Sequence, residues 1–273
     1  MSDLRPEKPD ALPKSRTVQQ LFDLRGKVAL VTGGAGLYGR QIVEALAEAG
    51  AQTFMASRNL EKLRAQADRF AASGLAVTAL PLDQAAEDSV QQLLHSVISV
   101  AGGVDILVNN AVLRPMADWS SPAADFAKSM EVNATGMFVM LRTFGEHMAA
   151  RGSGSIINVG SIQGVVGPDY TLYEGLGWGT PPDYFFHKGG LVQLTRFAAA
   201  KLGPHGIRVN AIIPGGLFND QDPRFVERYN ARTFLGRMAN QSDLKGVIVF
   251  LAAEASAYVT GACIAVDGGY TAK

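Results

Sequence analysis

Short apolar runs separated by longer stretches of helical spacing dominate the chain from about residue 24 onward. Residues 27–32, 52–57, 76–81, 104–109, 155–160, 207–213 and 263–266 have the length and branched, bulky side chains of strands. Their hydrophobicity is continuous rather than alternating, which predicts strands covered on both faces, and the long crossovers between them predict parallel pairing. Residues 40–49, 60–72, 89–100, 130–150, 184–202 and 243–252 carry helical periodicity, with Gly50 and Gly203 where C-terminal caps belong. The expected architecture is α/β: a single domain with a doubly wound parallel sheet of about seven strands and helices on both faces, the Rossmann arrangement.

The opening of the chain breaks this pattern. Residues 1–22 are polar, include three prolines and lack periodicity until Val18, which predicts a flexible arm ahead of a catalytic domain spanning 23–273. With 47% hydrophobic residues the chain can fill one large core. Lys plus Arg and Asp plus Glu are 25 each, for a formal net charge of +0, so no excess of positive charge exists to attract a phosphate backbone and nucleic acid is not an expected partner. Cys263 is the only cysteine and has no internal disulfide partner. The first residues lack the apolar core of a signal peptide, and no run reaches the roughly 18 uncharged apolar residues that cross a bilayer. A cytoplasmic protein without membrane contact is expected.

Candidate chemistry begins in residues 28–39, where a buried strand turns into a helix through Gly33, Gly36 and Gly39, with Leu37 and Tyr38 between them. Such a turn lets backbone N–H groups and a helix N-terminus approach a pyrophosphate. The second strand ends in Ser57-Arg58-Asn59, where an NAD site usually places an acid for the ribose hydroxyls. No acid is present, and the planar guanidinium of Arg58 suits a 2′-phosphate, so NADP is expected over NAD; a solvated arginine at a helix start is the open alternative. Asp83 reads either as an acceptor for the adenine amino group or as a cap. Asn110 and Ala111, after the fourth strand, read either as the lining of the adenosine ribose or as turn formers.

Further along, Tyr184 and Lys188 stand one helical turn apart and share a face, where an ammonium favours the anionic form of a phenol. Together with Asn133, Ser161, Pro214-Gly215 and the closing Val266-Asp267-Gly268-Gly269, and in this order, these residues make the chain resemble the short-chain dehydrogenases/reductases, chiefly the classical subgroup, from about Leu24 to Gly269. The resemblance implies an NAD(P)-dependent oxidoreductase interconverting a secondary alcohol and a ketone. In it Tyr184 exchanges the proton, Lys188 lowers the phenol's pKa and binds the nicotinamide ribose, Ser161 hydrogen-bonds the substrate oxygen, and Asn133 holds a water leading from Lys188 to solvent. Pro214, Gly215, Leu217 and Asn219 would meet the nicotinamide carboxamide. Relatives commonly form homotetramers, so a homo-oligomer, tetramer or dimer, is expected. His187 falls on a different helix face and is read as structural, and no histidine has companions at metal-ligand spacing.

Three features depart from the family pattern. Leu37 occupies the place of the middle glycine, Asn219 that of a frequent threonine, and the segment between Ser161 and Tyr184 is longer than usual. The added residues, 170–182, must lie beside the site because both ends of the segment carry candidate catalytic groups. Tyr170, Tyr173 and Trp178 next to Asp169, Glu174 and Asp183 suit a polyhydroxylated ligand, which points to a sugar, polyol or sugar acid. A loop docked by its aromatics is the other reading. Residues 217–240, with Arg224, Arg228, Arg232 and Arg237, would form a substrate cap. Two alternatives remain: reduction of 3-oxoacyl thioesters on acyl carrier protein, and a non-catalytic dinucleotide-binding protein.

Overall fold

The computed structural model describes residues 15–273. All strands pair in parallel in one sheet of order β3-β2-β1-β4-β5-β6-β7, with β1 Val28–Thr32, β2 Gln52–Ser57, β3 Val77–Pro81, β4 Ile106–Asn109, β5 Gly154–Val159, β6 Ile207–Pro214 and β7 Cys263–Val266. The continuous apolar runs are explained by this order: β1, β4 and most of β2, β5 and β6 are buried on both faces, while the edge strands β3 and β7 are only partly covered. Chain direction across the sheet reverses between β1 and β4, and the crevice at that switch point is where parallel sheets of this kind take their ligands.

Helices close both faces. Among the described residues these are α1 Val18–Phe22, α2 Leu37–Glu48, α3 Leu60–Ala72, α4 Glu87–Ala101, α5 Ala123–Met130, α6 Gly136–Arg151, α7 Pro182–Leu202, α8 Pro223–Asn230 and α9 Lys245–Ala252. Val90, Leu93, Met140, Phe144 and Leu191 of α4, α6 and α7 fill one core. Ile42, Leu46, Leu63, Phe70, Ile248 and Leu251 of α2, α3 and α9 fill the other. A third cluster of Ile162, Leu172, Val192, Phe225 and Tyr229 lies under α8. Of the expected arm, residues 1–14 lie outside the described residues. Thr17 closes a capping box with Gln20 at the start of α1, and Phe22 packs 6.3 Å from Phe250 between ring centroids.

The expected single helix over 130–150 is instead α5, a π-helical turn Glu131–Thr135, and α6. The cause is Gln84: its side-chain amide donates to the Val132 carbonyl at 3.0 Å, taking the acceptor that the Gly136 N–H would use in an α-helix, and that N–H turns to Glu131 instead. Such turns concentrate at functional sites, and this one carries Asn133. The 217–240 segment likewise contains a helix, α8, that begins at a proline behind the Asp222 cap.

Candidate active site

A cleft of about 1300 Å³ runs along the carboxyl ends of the strands. At one end it is lined by Ser57, Arg58, Asn59 and Asp83, in the middle by Gly33, Gly36, Leu37, Tyr38, Asn110 and Ala111, and at the other end by Ser161, Tyr184, Lys188, Pro214, Gly215 and Leu217. The sequence-derived candidates therefore meet on one surface, with three exceptions. Gly39 is outside the lining, packed so that a Cβ would lie 2.1 Å from the Gly33 carbonyl oxygen. Asn219 also lies outside it, its N–H donating to Gln221, and Gln221 rather than Asn219 lines the cleft. Asn133 is buried beneath the cleft and does not line it.

The middle section is rigid. Gly33 has φ +67°, and a Cβ there would meet the Ala111 Cα at 2.9 Å, so only glycine fits both the backbone and the space. Asn110 fixes the turn by donating its amide to the carbonyls of Thr32 and Gly33, each at 3.0 Å. Tyr38 donates its hydroxyl to the Gly215 carbonyl at 2.6 Å, joining the glycine turn to the end of β6. Burial holds that phenol far above the ordinary range, so it remains a protonated donor. The open groove over this turn fits an extended dinucleotide with its phosphates at the N-terminus of α2.

Behind the reactive end, a ladder of buried side chains ties the sheet to α7: Asn109 donates to Asn158 at 2.9 Å and Asn158 to Thr195 at 3.0 Å. Lys188, buried, donates to the Val159 carbonyl at 2.6 Å and sits 5.6 Å from the centroid of the Tyr184 ring. Burial alone would push the Tyr184 phenol up. The charges of Lys188 and then Arg114, with the Ser161 hydroxyl beside it, more than offset this and bring the phenol below its ordinary value of about 10. Lys188 is itself lowered, chiefly by burial, with Tyr184 acting in the opposite direction. A phenol so placed can shed and regain its proton nearer neutrality than a free tyrosine. His187 packs its ring edge-on against Tyr184 at 5.1 Å, and burial, aided by the charges of Lys188 and Arg114, lowers it to about 3, so it stays neutral.

The acidic residues expected to grip a polyhydroxylated ligand do not reach the cleft. Asp169 pairs with Arg232 at 2.7 Å, Asp183 is fully buried in the first turn of α7, and Glu174 is outside the lining, as is Tyr170. Tyr173 and Trp178 do line it. The arginines of the 217–240 segment are also engaged elsewhere. Arg228 donates to the carbonyls of Leu172 and Glu174, Arg232 to Thr171, Arg224 to Gly175, and Arg237 pairs with Asp243. Trp178 and Tyr173 pack at a tilt against Phe225, with ring centroids 5.1 and 5.6 Å away, so 170–182 and α8 form one latched unit over the reactive end.

Sequence reasoning missed Lys62, Arg114, Gln163, Gln221, Tyr229 and Met238 in the lining. Lys62 follows Arg58 by four residues across the Asn59 cap of α3, and Gln163 follows Ser161 by two, so both were near enough in sequence to be found. Arg114 was not: it reaches the site on the loop after β4, with its guanidinium carbon 4.3 Å from the centroid of the Tyr184 ring.

Residues 36–271 match the family model described as enoyl-(acyl carrier protein) reductase. The chain is 36% identical over 265 residues to 2,5-dichloro-2,5-cyclohexadiene-1,4-diol dehydrogenase of Sphingobium indicum, covering 92% of this chain and all of that one. The chain is a short-chain dehydrogenase/reductase. Galactitol 2-dehydrogenase of Cereibacter sphaeroides is 33% identical to this dehydrogenase/reductase, with 92% and 97% of the two chains covered. Among solved structures, a gluconate 5-dehydrogenase from Burkholderia cenocepacia in complex with NADP and tartrate superposes with a TM-score of 0.85 at 32% identity, covering 94% of this chain and 100% of that one. The short-chain dehydrogenase/reductase described here is accordingly an NAD(P)-dependent oxidoreductase acting on CH–OH groups of small molecules.

Proposed function

We propose that this enzyme interconverts a secondary alcohol and a ketone on a sugar, polyol or sugar acid, with NADP preferred to NAD. The observation that carries the reading is the meeting of Ser161, Tyr184 and Lys188 at one end of a cleft whose middle is the Gly33 turn. A bound nicotinamide would supply the hydride acceptor or donor. Everything else falls to side chains. Tyr184 takes the hydroxyl proton in oxidation and returns it in reduction, Lys188 holds the phenol's pKa down, and Ser161 hydrogen-bonds the reacting oxygen. Asn133 holds the backbone of Leu113 from below with its side chain, supporting the loop that carries Arg114, in addition to the water that it would hold between Lys188 and solvent.

The NADP preference rests on Arg58, joined in the lining by Lys62, with Glu61 and Asp83 the acids at the same end among the described residues. The substrate class is supported by the names of the galactitol and gluconate dehydrogenases among the relatives. Exposed rings of Phe186 and Phe197 on α7, 64% and 68% accessible, support self-association through that helix. A solution mass near 28.9 kDa would count against it.

The test is a Tyr184→Phe variant. Loss of turnover with unchanged NADP(H) affinity in a fluorescence titration is the expected result; absence of nicotinamide binding by the unaltered enzyme would overturn the reading. Faster turnover of acetoacetyl-CoA than of any polyol would replace the substrate class with 3-oxoacyl thioesters.

A further inference from the structure

The reactive end of the cleft is electrostatically one-sided. Among the described residues, its lining beyond the glycine turn contains two cations, Lys188 and Arg114, and no carboxylate. Lys188 is accounted for: it is buried, bonded to the Val159 carbonyl and matched by the phenol it helps ionise. Arg114 is accounted for only in part. Its charge helps to ionise Tyr184, over whose ring it lies at 4.3 Å, but it is exposed to the cleft and among the described residues makes no ion pair. The contrast with the arginines of 224–237 is informative, because every one of those is spent on a carboxylate or a carbonyl of a neighbouring segment.

We infer that Arg114 selects the substrate by receiving its carboxylate, so that the polyhydroxylated substrate is an acid of the aldonate class rather than a neutral sugar or alditol. This rests on the reading of the cleft as an alcohol–ketone site. A guanidinium lying over an aromatic face has its N–H groups to offer at its edge, where a carboxylate can take two parallel hydrogen bonds. Gln163, Thr180 and Gln221 stand in the same part of the lining, with Gln163 donating to Thr180 at 3.2 Å, and supply neutral donors and acceptors for the remaining hydroxyls. Among the described residues no carboxylate lines this end to repel an anion, and a neutral ligand would leave Arg114 without an ion-pair partner. The loop is held for the purpose, since Asn133 bonds both the N–H and the carbonyl of the residue immediately before Arg114.

The experiment compares five- and six-carbon aldonates with their matched alditols, both by turnover and by calorimetric binding to the enzyme–NADP complex, in the unaltered enzyme and in Arg114→Ala and Arg114→Lys. The unaltered enzyme should favour the best aldonate over its alditol by at least tenfold. Arg114→Ala should cut that ratio by about 10- to 100-fold, the range of a lost charge-assisted hydrogen bond. Arg114→Lys, which keeps the charge and loses the fork, should fall between. Because Arg114 also touches Tyr184, any common slowing affects both members of a pair and cancels in the ratio. Alditols equal to or better than aldonates in the unaltered enzyme, an unchanged ratio in Arg114→Ala, or cofactor binding without aldonate binding would each overturn the inference while leaving the alcohol–ketone assignment standing. Failure to bind a nicotinamide cofactor at all would overturn that assignment instead.

Discussion

Asn133 clasps Leu113 across the gap between the π-helical turn and the loop after β4: its carbonyl oxygen accepts from the Leu113 N–H at 2.9 Å, and its amide donates to the Leu113 carbonyl at 2.7 Å. A third bond, from the same amide to Ser129 at 3.0 Å, completes the set. Replacing Asn133 by Ala would leave two peptide groups of a partly buried loop without partners. A loss of about 2 kcal/mol in unfolding free energy is expected, from the usual cost of stranded polar groups. Because the loop continues into Arg114 and the site, kcat should fall while NADP affinity holds. Urea denaturation and steady-state kinetics on the variant check both, and a variant with the parental kcat would show that the clasp does not serve the site.

Much of this was legible in the sequence, and the reason is local. The strands and their parallel pairing follow from continuous apolar runs with long crossovers, and the glycine turn, Tyr184 and Lys188 are set by spacings within single elements. What was not legible depends on contacts between elements distant in the chain. Gln84 converts a helix to a π-turn by reaching the carbonyl of Val132, 48 residues away, and no periodicity signals that. The arginines of 224–237 read as solvated or as ligand-binding groups of a cap, and their role as latches shows only once the loop beside them is seen. Arg114 gives no sequence signal at all, because its neighbour is Tyr184, seventy residues on.

The pH dependence of alcohol oxidation should follow the Tyr184 phenol. Its folded pKa lies below the ordinary value, so the base form accumulates as pH rises through that lowered value and kcat/KM rises with it. Replacing Lys188 by Met removes the principal charge opposing burial, and the rising limb should move to higher pH. The rate near neutrality should drop by about 10² to 10⁴, the range of a lost acid–base contribution. The pH–rate profile of the two proteins is the measurement; an unmoved limb in a folded variant would mean that another group is titrating.

The Asp169–Arg232 pair joins the residue before 170–182 to the segment that follows α8, and its side chains are 28% and 40% accessible. Exposed pairs of this kind contribute about 0–1 kcal/mol, so Arg232→Ala should scarcely alter the melting temperature. Its effect should appear in mobility and binding instead. Faster amide exchange is expected across 170–178, with a raised KM for the carbonyl or alcohol substrate and an unchanged affinity for NADP. Trp178→Ala should show the same split more strongly, since it removes the ring that packs against Phe225 and faces the cleft. Exchange rates that do not differ from the parent would mean that the loop is held by its aromatics alone.

His187 should make the protein acid-sensitive well above the range in which carboxylates titrate. Its ring is buried beside Tyr184, its Nε2 has no hydrogen-bond partner among the described residues, and burial, aided by the charges of Lys188 and Arg114, lowers it to about 3. In the unfolded chain it would take up a proton near its ordinary value of about 6.5. Between those two values the unfolded state binds the extra proton and the folded state does not, so stability falls as pH drops through 6.5 and continues to fall toward 3. Linkage puts the loss at about 2 kcal/mol between pH 7 and pH 5 from this one group. His187→Leu removes the titration and keeps an apolar side chain in the same space. The difference in unfolding free energy between pH 7 and pH 5 should therefore be smaller in the variant by about that amount. Urea midpoints at the two pH values, in parent and variant, measure it directly. An equal acid loss in both proteins would assign the sensitivity to another group.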